Sequence, residues 1–338
     1  MNLLFTSAGR RGYLLKWFKE AIGAEGRIHA ANSDPNAPAF AEADTSVVVP
    51  GIHDKGYVPF LLNYCRQHRI KAVIPLFDID IPVLAAARKE FSDRGVTVVV
   101  ADEWVANICN DKWATFRFLK ENGFDVPTTE RTLAAAQKAI ADGRMDFPLI
   151  VKPRWGMGSI GVHKVENATE LEVLYAKVVR EVERTYLRYE SASTPEGAVL
   201  VQECIDGEEY GLDIVNDLEG RHVTTFVKKK LAMRSGETDS ALTVDEPELR
   251  ATGERIAALL QHRGNLDLDL FRASDGRTVV LELNARFGGG YPFSHLAGAD
   301  VPRAIVAWLA GTAVDRAWLT VRYGVEAAKM IVPTRRTW

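Results

Sequence analysis

Over roughly the first hundred residues, short β-branched runs alternate with amphipathic helical stretches, and this alternation constrains the chain more than any other feature. Strands joined through crossover helices pair in parallel and are covered on both faces, so the pattern predicts a doubly wound α/β sheet. Strands are expected over 3–6, 28–31, 47–49, 72–75 and 96–100, with helices over 12–24, 58–68 and 81–92. In the first helix Leu14, Leu15, Phe18 and Ile22 share one face. A domain boundary is expected near residue 105. Just beyond it Asp111 is placed to cap a helix that Gly123 and then Val126-Pro127 bring to an end.

Past that boundary the strands become antiparallel in character. LIVKP leads into the loop RWGMGSIG and then VHKV; Asn167 heads a long charged helix to about Tyr189, and a polar break covers 191–197. VLVQECI and EYGLDIV read as a hairpin turning at Asp206-Gly207. They precede the strand HVTTFVKKKLA, a helix over 247–263, the strands NLDLDLFRA and TVVLELNAR, and a final helix from about Pro302. With 338 residues, 47% of them apolar, the chain is long enough to bury these elements without disulfides or metal staples. Cys65, Cys109 and Cys204 read as reduced core-type thiols. A formal charge of −3 leaves no basic surplus for a nucleic-acid partner. No apolar run reaches the roughly 18 residues of a membrane span, and MNLLFTSAGRRG does not read as a signal peptide, so a cytoplasmic protein with no membrane partner is expected.

Three segments carry candidate chemistry. Gly156, Gly158 and Gly161 fit G-x-G-x-x-G, but a dinucleotide fingerprint must lie between a strand and a helix, and here a strand stands on both sides. The glycines therefore read as the tip of a β-hairpin whose amides can close over phosphates, with Lys152 at the end of the preceding strand to project an ammonium beside them. The plain alternative is a hairpin that holds no ligand. In LELNAR, Glu282, Asn284 and Arg286 are two apart and share one strand face; with Asp269 they offer oxygen ligands suited to Mg²⁺ bound jointly with phosphates, and Arg286 can pair with a transferring phosphoryl group. Asp267 lies on the same face as Asp269, so the first metal position is open between them, and the whole face could equally meet water. In VQECIDGEEY, backbone groups around Gln202 and Glu203 could read an adenine edge and a later carboxylate the ribose, or the segment is an ordinary hairpin. The loop SAGRRG has two glycines where a nicotinamide site wants three; its Arg10 and Arg11 are expected to bind a substrate anion or the other domain. Neither G-x-S-x-G nor a paired-histidine metal motif occurs, which leaves a triad hydrolase or zinc enzyme without support.

Together with Lys112 these segments resemble the ATP-grasp superfamily, in particular its carbamoyl-phosphate-synthase-like carboxylate-amine ligases, over nearly the whole chain. NDK at 110–112 resembles the family's first phosphate lysine, VKP its second, RWGMGSIGV its glycine lid, including Ser159, and QECIDGEEY its adenine hinge. The resemblance implies an α/β (α+β grasp) fold: a Rossmann-like parallel-sheet domain over 1–105, then a two-lobed ATP-grasp domain with a small lobe and lid over 106–200 and a large lobe over 201–338. It implies that Glu203 and Ile205 meet adenine, Glu209 the ribose, and Asp269, Glu282 and Asn284 the Mg²⁺, for which Mn²⁺ can substitute. Arg234, in LAMRSGETDSALTV, falls where the family carries a basic residue near the phosphates. Asn284-Ala285-Arg286 departs from the common N-P-R while keeping the ligand and the arginine. The activity implied is activation of a small carboxylate by ATP as an acyl phosphate, then attack by an amine, with catalysis by Lys152, Arg234 and Arg286. Substrate recognition would fall to RFGGGYPFSH, where Gly288, Gly289 and Gly290 admit a carboxylate to backbone amides and Tyr291 and Phe293 supply walls. An ATP-grasp kinase and a non-catalytic nucleotide sensor are the alternative readings. Homodimers are common in the family. The chain's end at Trp338 is read as leaving no room for a carboxylase's additional domain or a fused amidotransferase.

Overall fold

The computed structural model describes residues 1–192 and 194–333. Ser193, in the expected polar break, and 334–338, the end of the expected large lobe, lie outside the described residues. The chain begins β1 (Asn2–Thr6), α1 (Gly12–Ile22), β2 (Arg27–Asn32), β3 (Thr45–Val48), α2 (Tyr57–Gln67), β4 (Ile70–Pro75), α3 (Asp80–Ala86), α4 (Arg88–Ser92) and β5 (Thr97–Val98). These strands form a parallel sheet in the order β3-β2-β1-β4-β5. Alternation along β1 sends Leu3 and Phe5 against Leu14, Leu15 and Phe18 of α1, and Leu4 against Tyr57, Leu61, Leu84 and Phe91 on the other side. The helix expected over 81–92 is two helices, divided at Ala87.

Next come α5 (Glu103–Asn110) and α6 (Lys112–Glu121). Asp111 caps α6 by accepting from the Trp113 amide at 3.0 Å, and Gly123 closes it at φ 71°. The expected small lobe began at 106, yet these helices pack elsewhere: Val105, Cys109 and Leu119 share a core with Leu270 and Leu283 of the third sheet. Their apolar faces are covered there, so they belong with the large lobe.

The small lobe proper contains β6 (Thr129–Glu130), α7 (Leu133–Ala141), β7 (Leu149–Pro153), β8 (His163–Val165), α8 (Ala168–Arg184), α9 (Leu187–Ser191) and β9 (Val199–Glu203). Its antiparallel sheet runs β6-β9-β7-β8. Asn167 caps α8 by accepting from the Glu170 amide at 3.0 Å; α8 ends at Arg184, short of the expected Tyr189, and α9 follows.

The large lobe contains β10 (Gly207–Asn216), β11 (His222–Arg234), β12 (Glu237–Thr243), α10 (Pro247–Leu260), β13 (Gly264–Ala273), β14 (Thr278–Asn284), α11 (Tyr291–Leu296), α12 (Val301–Ala310) and β15 (Glu326–Ala328). Its antiparallel sheet has the order β14-β13-β10-β11-β12-β15. The expected hairpin of VLVQECI with EYGLDIV does not form. β9 belongs to the small sheet and β10 to the large one, and residues 204–206 cross between them. Gly207 allows the crossing, because a Cβ there would lie 2.2 Å from the Arg272 carbonyl oxygen of β13. Among the described residues no helix is long and apolar enough to cross a membrane.

Candidate active site

Two adjoining cavities lie where these units meet. The larger, about 370 Å³, is lined by Lys112, Lys152, Gly156, Gly158, Ser159, Gln202, Glu203, Ile205, Glu209, Asp269 and Glu282, all expected from the sequence. Ile150, Val162, Phe271 and Leu281 give it apolar walls. The smaller, about 50 Å³, is lined by Asp267, Asp269, Glu282, Asn284, Arg286, Gly289 and Gly290, together with Arg11, Lys230 and Glu237. Asp269, Glu282, Gly158 and Gly236 line both, so the two are continuous.

The glycine loop forms one wall as a hairpin tip. β7 and β8 pair antiparallel on either side of it, and Gly156, Gly158 and Gly161 adopt φ of 98°, 66° and 68°. Its tip rests on the turn between β11 and β12: a Cβ on Gly236 would stand 2.3 Å from the Gly158 carbonyl carbon, so only glycine permits the contact. The loop is therefore closed across the cleft. Its base is held by Arg154, which donates to Asp111 at the head of α6, and by Lys112, whose ammonium donates to the Gly156 carbonyl.

Lys152 is buried, and its ammonium donates to Gln202 Oε1 at 2.7 Å, with no carboxylate paired to it among the described residues. Burial brings its pKa down to about 8; Lys112 adds to the drop and Glu282 opposes it. A buried cation without a counter-ion suits an incoming phosphate. Lys112 lies 3.8 Å from Glu282.

Three acids and Asn284 sit on β13 and β14 as cross-strand pairs, Asp267 opposite Asn284 and Asp269 opposite Glu282, so all four face the same way. Burial raises the Asp269 carboxyl to about 7; Lys230 opposes that, while Asp267, Glu282 and Glu209 reinforce it. Burial works against the Glu282 carboxylate too, but Lys112, Lys152 and Lys230 more than offset it and hold it below the usual range. Lys230 bridges Glu209 at 2.7 Å and Asp269 at 2.6 Å. Gly211 leaves room for this convergence, since a Cβ there would be 3.3 Å from Lys230 Cε and 3.7 Å from Asp269 Oδ1. Among the described residues no three acidic, histidine or cysteine side chains form a metal cage by themselves. The hard oxygens of Asp269, Glu282 and Asn284, of which the two carboxylates repel each other, nevertheless fit Mg²⁺, which binds through one or two carboxylates with the remainder supplied by phosphate and water.

Arg286 is buried between two carboxylates, Asp78 at 3.0 Å and Asp267 at 3.1 Å. Burial disfavours its charge, but these acids overcome that and raise its pKa. Asp267 thus serves Arg286, whereas Asp269 faces Glu282 and both cavities.

Several expected placements are not met. Arg234 is exposed, pairs with Asp239 at 2.8 Å and lines neither cavity; Lys230, four residues earlier on β11, supplies the buried cation. Tyr291 and Phe293 are buried in packing and line neither cavity. The Tyr291 hydroxyl donates to the Ala299 carbonyl at 3.1 Å and accepts from the Val301 amide at 3.0 Å, and its ring packs on Phe287 and Trp17. Gly288 is likewise not a lining residue; it lies against the Asp267 carboxylate, 2.0 Å from where a Cβ would be. The Glu203 carboxylate is taken up by the Thr128 amide at 2.9 Å and by Arg277 at 3.0 Å, which leaves its backbone for the cleft. Sequence reasoning missed Lys230 and Asp78. Lys230 follows the period-two alternation from Lys228 on a strand beside β10, but Asp78 lies in a loop more than two hundred residues from its partner and carried no local signal.

Comparison with known proteins adds to this geometry. Residues 3–99 match the family described as PylC-like, N-terminal domain, and residues 145–292 match the ATP-grasp domain. The carbamoyl phosphate synthase large chain of Streptomyces avermitilis is 30% identical over 226 residues, 64% of this chain and 19% of that one. The chain thus spans about a fifth of the length of this curated relative. Among solved structures, the biotin carboxylase domain dimer of Hydrogenobacter thermophilus 2-oxoglutarate carboxylase, in complex with MgADP, ADP and bicarbonate, superposes with a TM-score of 0.74 at 15% identity, covering 96% of this chain and 73% of that one. An L-amino acid ligase from Bacillus licheniformis superposes with a TM-score of 0.65 at 19% identity, covering 91% and 74%. These likenesses show a shared fold.

Proposed function

From the premise that this chain joins an ATP-grasp domain to a PylC-like N-terminal domain, we propose that it is an ATP- and Mg²⁺-dependent ligase that activates a small carboxylate as an acyl phosphate and joins it to an amine, releasing ADP and phosphate. The observation that carries this reading is the continuity of the two cavities: a cleft of about 370 Å³ lined by Lys112 and Lys152 shares Gly158, Gly236, Asp269 and Glu282 with a small polar chamber lined by Arg11, Lys230 and Arg286. ATP in the larger cleft sets adenine against Ile150, Phe271 and Leu281 near the 203–205 backbone, and Glu209 near the ribose. Its phosphates run beneath the closed lid, toward Lys112 and Lys152. Asp269, Glu282 and Asn284 would hold Mg²⁺, for which Mn²⁺ substitutes; the bound ion supplies charge neutralisation at the β- and γ-phosphates. A carboxylate in the small chamber then attacks the γ-phosphorus in line, and the bond to the β-bridging oxygen breaks. Lys112, Lys152 and Arg286 neutralise the charge that spreads over the transferring oxygens. The lid keeps water from the acyl phosphate until the amine attacks its carbonyl and phosphate leaves. Arg234, at the rim, is assigned no step. We place the enzyme in the cytoplasm, where ATP is supplied, and the resemblance to dimeric relatives makes a homodimer the state to test by light scattering.

The reading is tested by Mg²⁺-dependent ADP release over a panel of amino, hydroxy and sugar acids, with and without hydroxylamine. Hydroxamate with one acid identifies an acyl phosphate and the carboxylate together. ADP with a stable phosphorylated product instead would make the chain a kinase, and nucleotide binding without turnover would make it a sensor. Arg286→Ala is expected to lower hydroxamate turnover by about 10²–10³-fold with ATP affinity little changed; unaltered turnover removes Arg286 from the chemistry.

A further inference from the structure

Between β1 and β4 the parallel sheet reverses its winding, with β2 on one side of β1 and β4 on the other. In open parallel sheets the crevice beyond the carboxyl ends of the strands at such a reversal is a ligand-binding place. The loop leaving β1 passes through Ser7 and Gly9, both at positive φ (53° and 54°), and brings Arg11 to the head of α1 in that crevice. Arg11 is only 6% exposed. Its Nη1 donates to the Leu76 carbonyl at the end of β4 and, at 3.1 Å, to the Phe287 carbonyl of the ATP-grasp domain. Among the described residues it has no carboxylate partner. Arg286 donates to the same Phe287 oxygen at 3.3 Å, so the two guanidinium groups stand side by side at the wall of the small cavity. They differ in one respect: Arg286 is ion-paired with Asp78 and Asp267, whereas the bonds Arg11 makes among the described residues go to carbonyl oxygens, and Asp78 and Glu237 act on it only from beyond ion-pair distance.

A buried cation held beside another cation, with no acid bonded to it, is better satisfied when a ligand brings a counter-charge within hydrogen-bond reach. We propose that Arg11 is an anion anchor of the substrate site, holding a carboxylate in the small cavity against its unbonded guanidinium N–H groups, so that the N-terminal domain completes a site otherwise built by the ATP-grasp domain. Burial and then the neighbouring Arg286 depress the Arg11 pKa, and Tyr13, Asp78 and Glu237 oppose them without restoring it. The inference rests on the ligase reading for the identity of the anion; the cradle itself does not. Arg11 acts by positioning, since it carries no bond-making step.

The test uses the full chain saturated with MgADP, with malonate as a carboxylate probe and inorganic phosphate as the competing oxyanion, read as thermal stabilisation in the wild type, Arg11→Gln and Arg11→Lys. Malonate is expected to raise the Tm of the wild type; Arg11→Gln should require at least tenfold more malonate for the same shift, Arg11→Lys an intermediate amount, and the shift due to MgADP alone should be the same in all three. Equal malonate response in wild type and Arg11→Gln overturns the proposal, as does no response in the wild type. Arg11-dependence for phosphate but not malonate overturns the assignment of a carboxylate. Loss of the MgADP shift in Arg11→Gln makes the residue a domain clamp instead and overturns it as well. The ligase reading fails separately, if the acid panel gives no hydroxamate while the Arg11-dependent malonate response persists.

Discussion

The two cavities are built in different ways. The nucleotide cleft takes its chemistry from short segments in which the functional residue and its supporting neighbours are adjacent in sequence: Lys152 ends β7 just before the glycine lid, and Gln202, Glu203 and Ile205 span the crossing between lobes. The small chamber has, besides Lys230, two cations from opposite ends of the chain, Arg11 and Arg286, whose guanidinium groups meet at one carbonyl oxygen. On the proposed reading, the difference teaches that the nucleotide would be held by residues of the ATP-grasp domain, whereas acceptance of the second reactant would depend on how the N-terminal domain is docked. A substitution in the first region should disturb ATP, and one in the second should disturb the acid.

The largest expected effect that sharpens this contrast is at Lys152. Lys152→Met should lower turnover about 10²–10³-fold and weaken ATP binding while leaving malonate stabilisation intact. Its protonation supplies an independent check. The lysine pKa is lowered in the fold from its usual 10.5 to about 8, so the folded protein binds fewer protons than the unfolded chain between those values, and this group's contribution to stability rises with pH across that window. Below about 8 the folded protein carries a charged buried lysine at a cost. Phosphates restore the ammonium, so MgATP binding at pH 9 should take up a proton, and calorimetry in two buffers of different ionisation enthalpy should detect the uptake. Uptake of the same size in Lys152→Met would assign it to another group.

A smaller effect separates the two basic residues of β11. Lys230→Met should leave Asp269 and Glu209 buried without their cation and reduce turnover by roughly ten- to a hundredfold, whereas Arg234→Ala should change it by less than about twofold, because an exposed ion pair contributes little. Steady-state kinetics of both variants decides the matter; the opposite ranking would restore Arg234 to the phosphates. The smallest effect is at Tyr291. Tyr291→Phe removes a hydroxyl bonded to Ala299 and Val301, and should cost about 1–2 kcal/mol of stability with KM for the acid unchanged. A raised KM in that variant, measured beside its denaturant midpoint, would return Tyr291 to the substrate site and blur the contrast.

Most of the nucleotide side was legible from the sequence because it is written in local periodicity. The alternation of strands and crossover helices dictates a parallel sheet, the spacing of two in LELNAR puts Glu282 and Asn284 on one face of β14, which ends before Arg286, expected on that face, and three glycines between two strands permit a hairpin tip. Where the same local reading failed, a tertiary contact decided. Gly207 diverts β10 into a second sheet because the backbone of β13 lies against it, and so the expected hairpin becomes the crossing between lobes. Tyr291 looks like a cavity wall beside three glycines, but Trp17 and Phe287 enclose it. Asp267 and Asp269 share a face of β13 and cannot be told apart along it; the tertiary structure gives them different partners, Arg286 for Asp267 and Lys230 for Asp269, and of the two only Asp269 lines both cavities. The sequence by itself thus determined the strand-and-helix pattern, the glycine hairpin tip and the row of acids, since each depends on residues a few positions apart. Only the tertiary structure decided which cations enter the small chamber, because the bond that joins Arg11 to Phe287 spans 276 positions and exists only once two independently patterned domains have packed together.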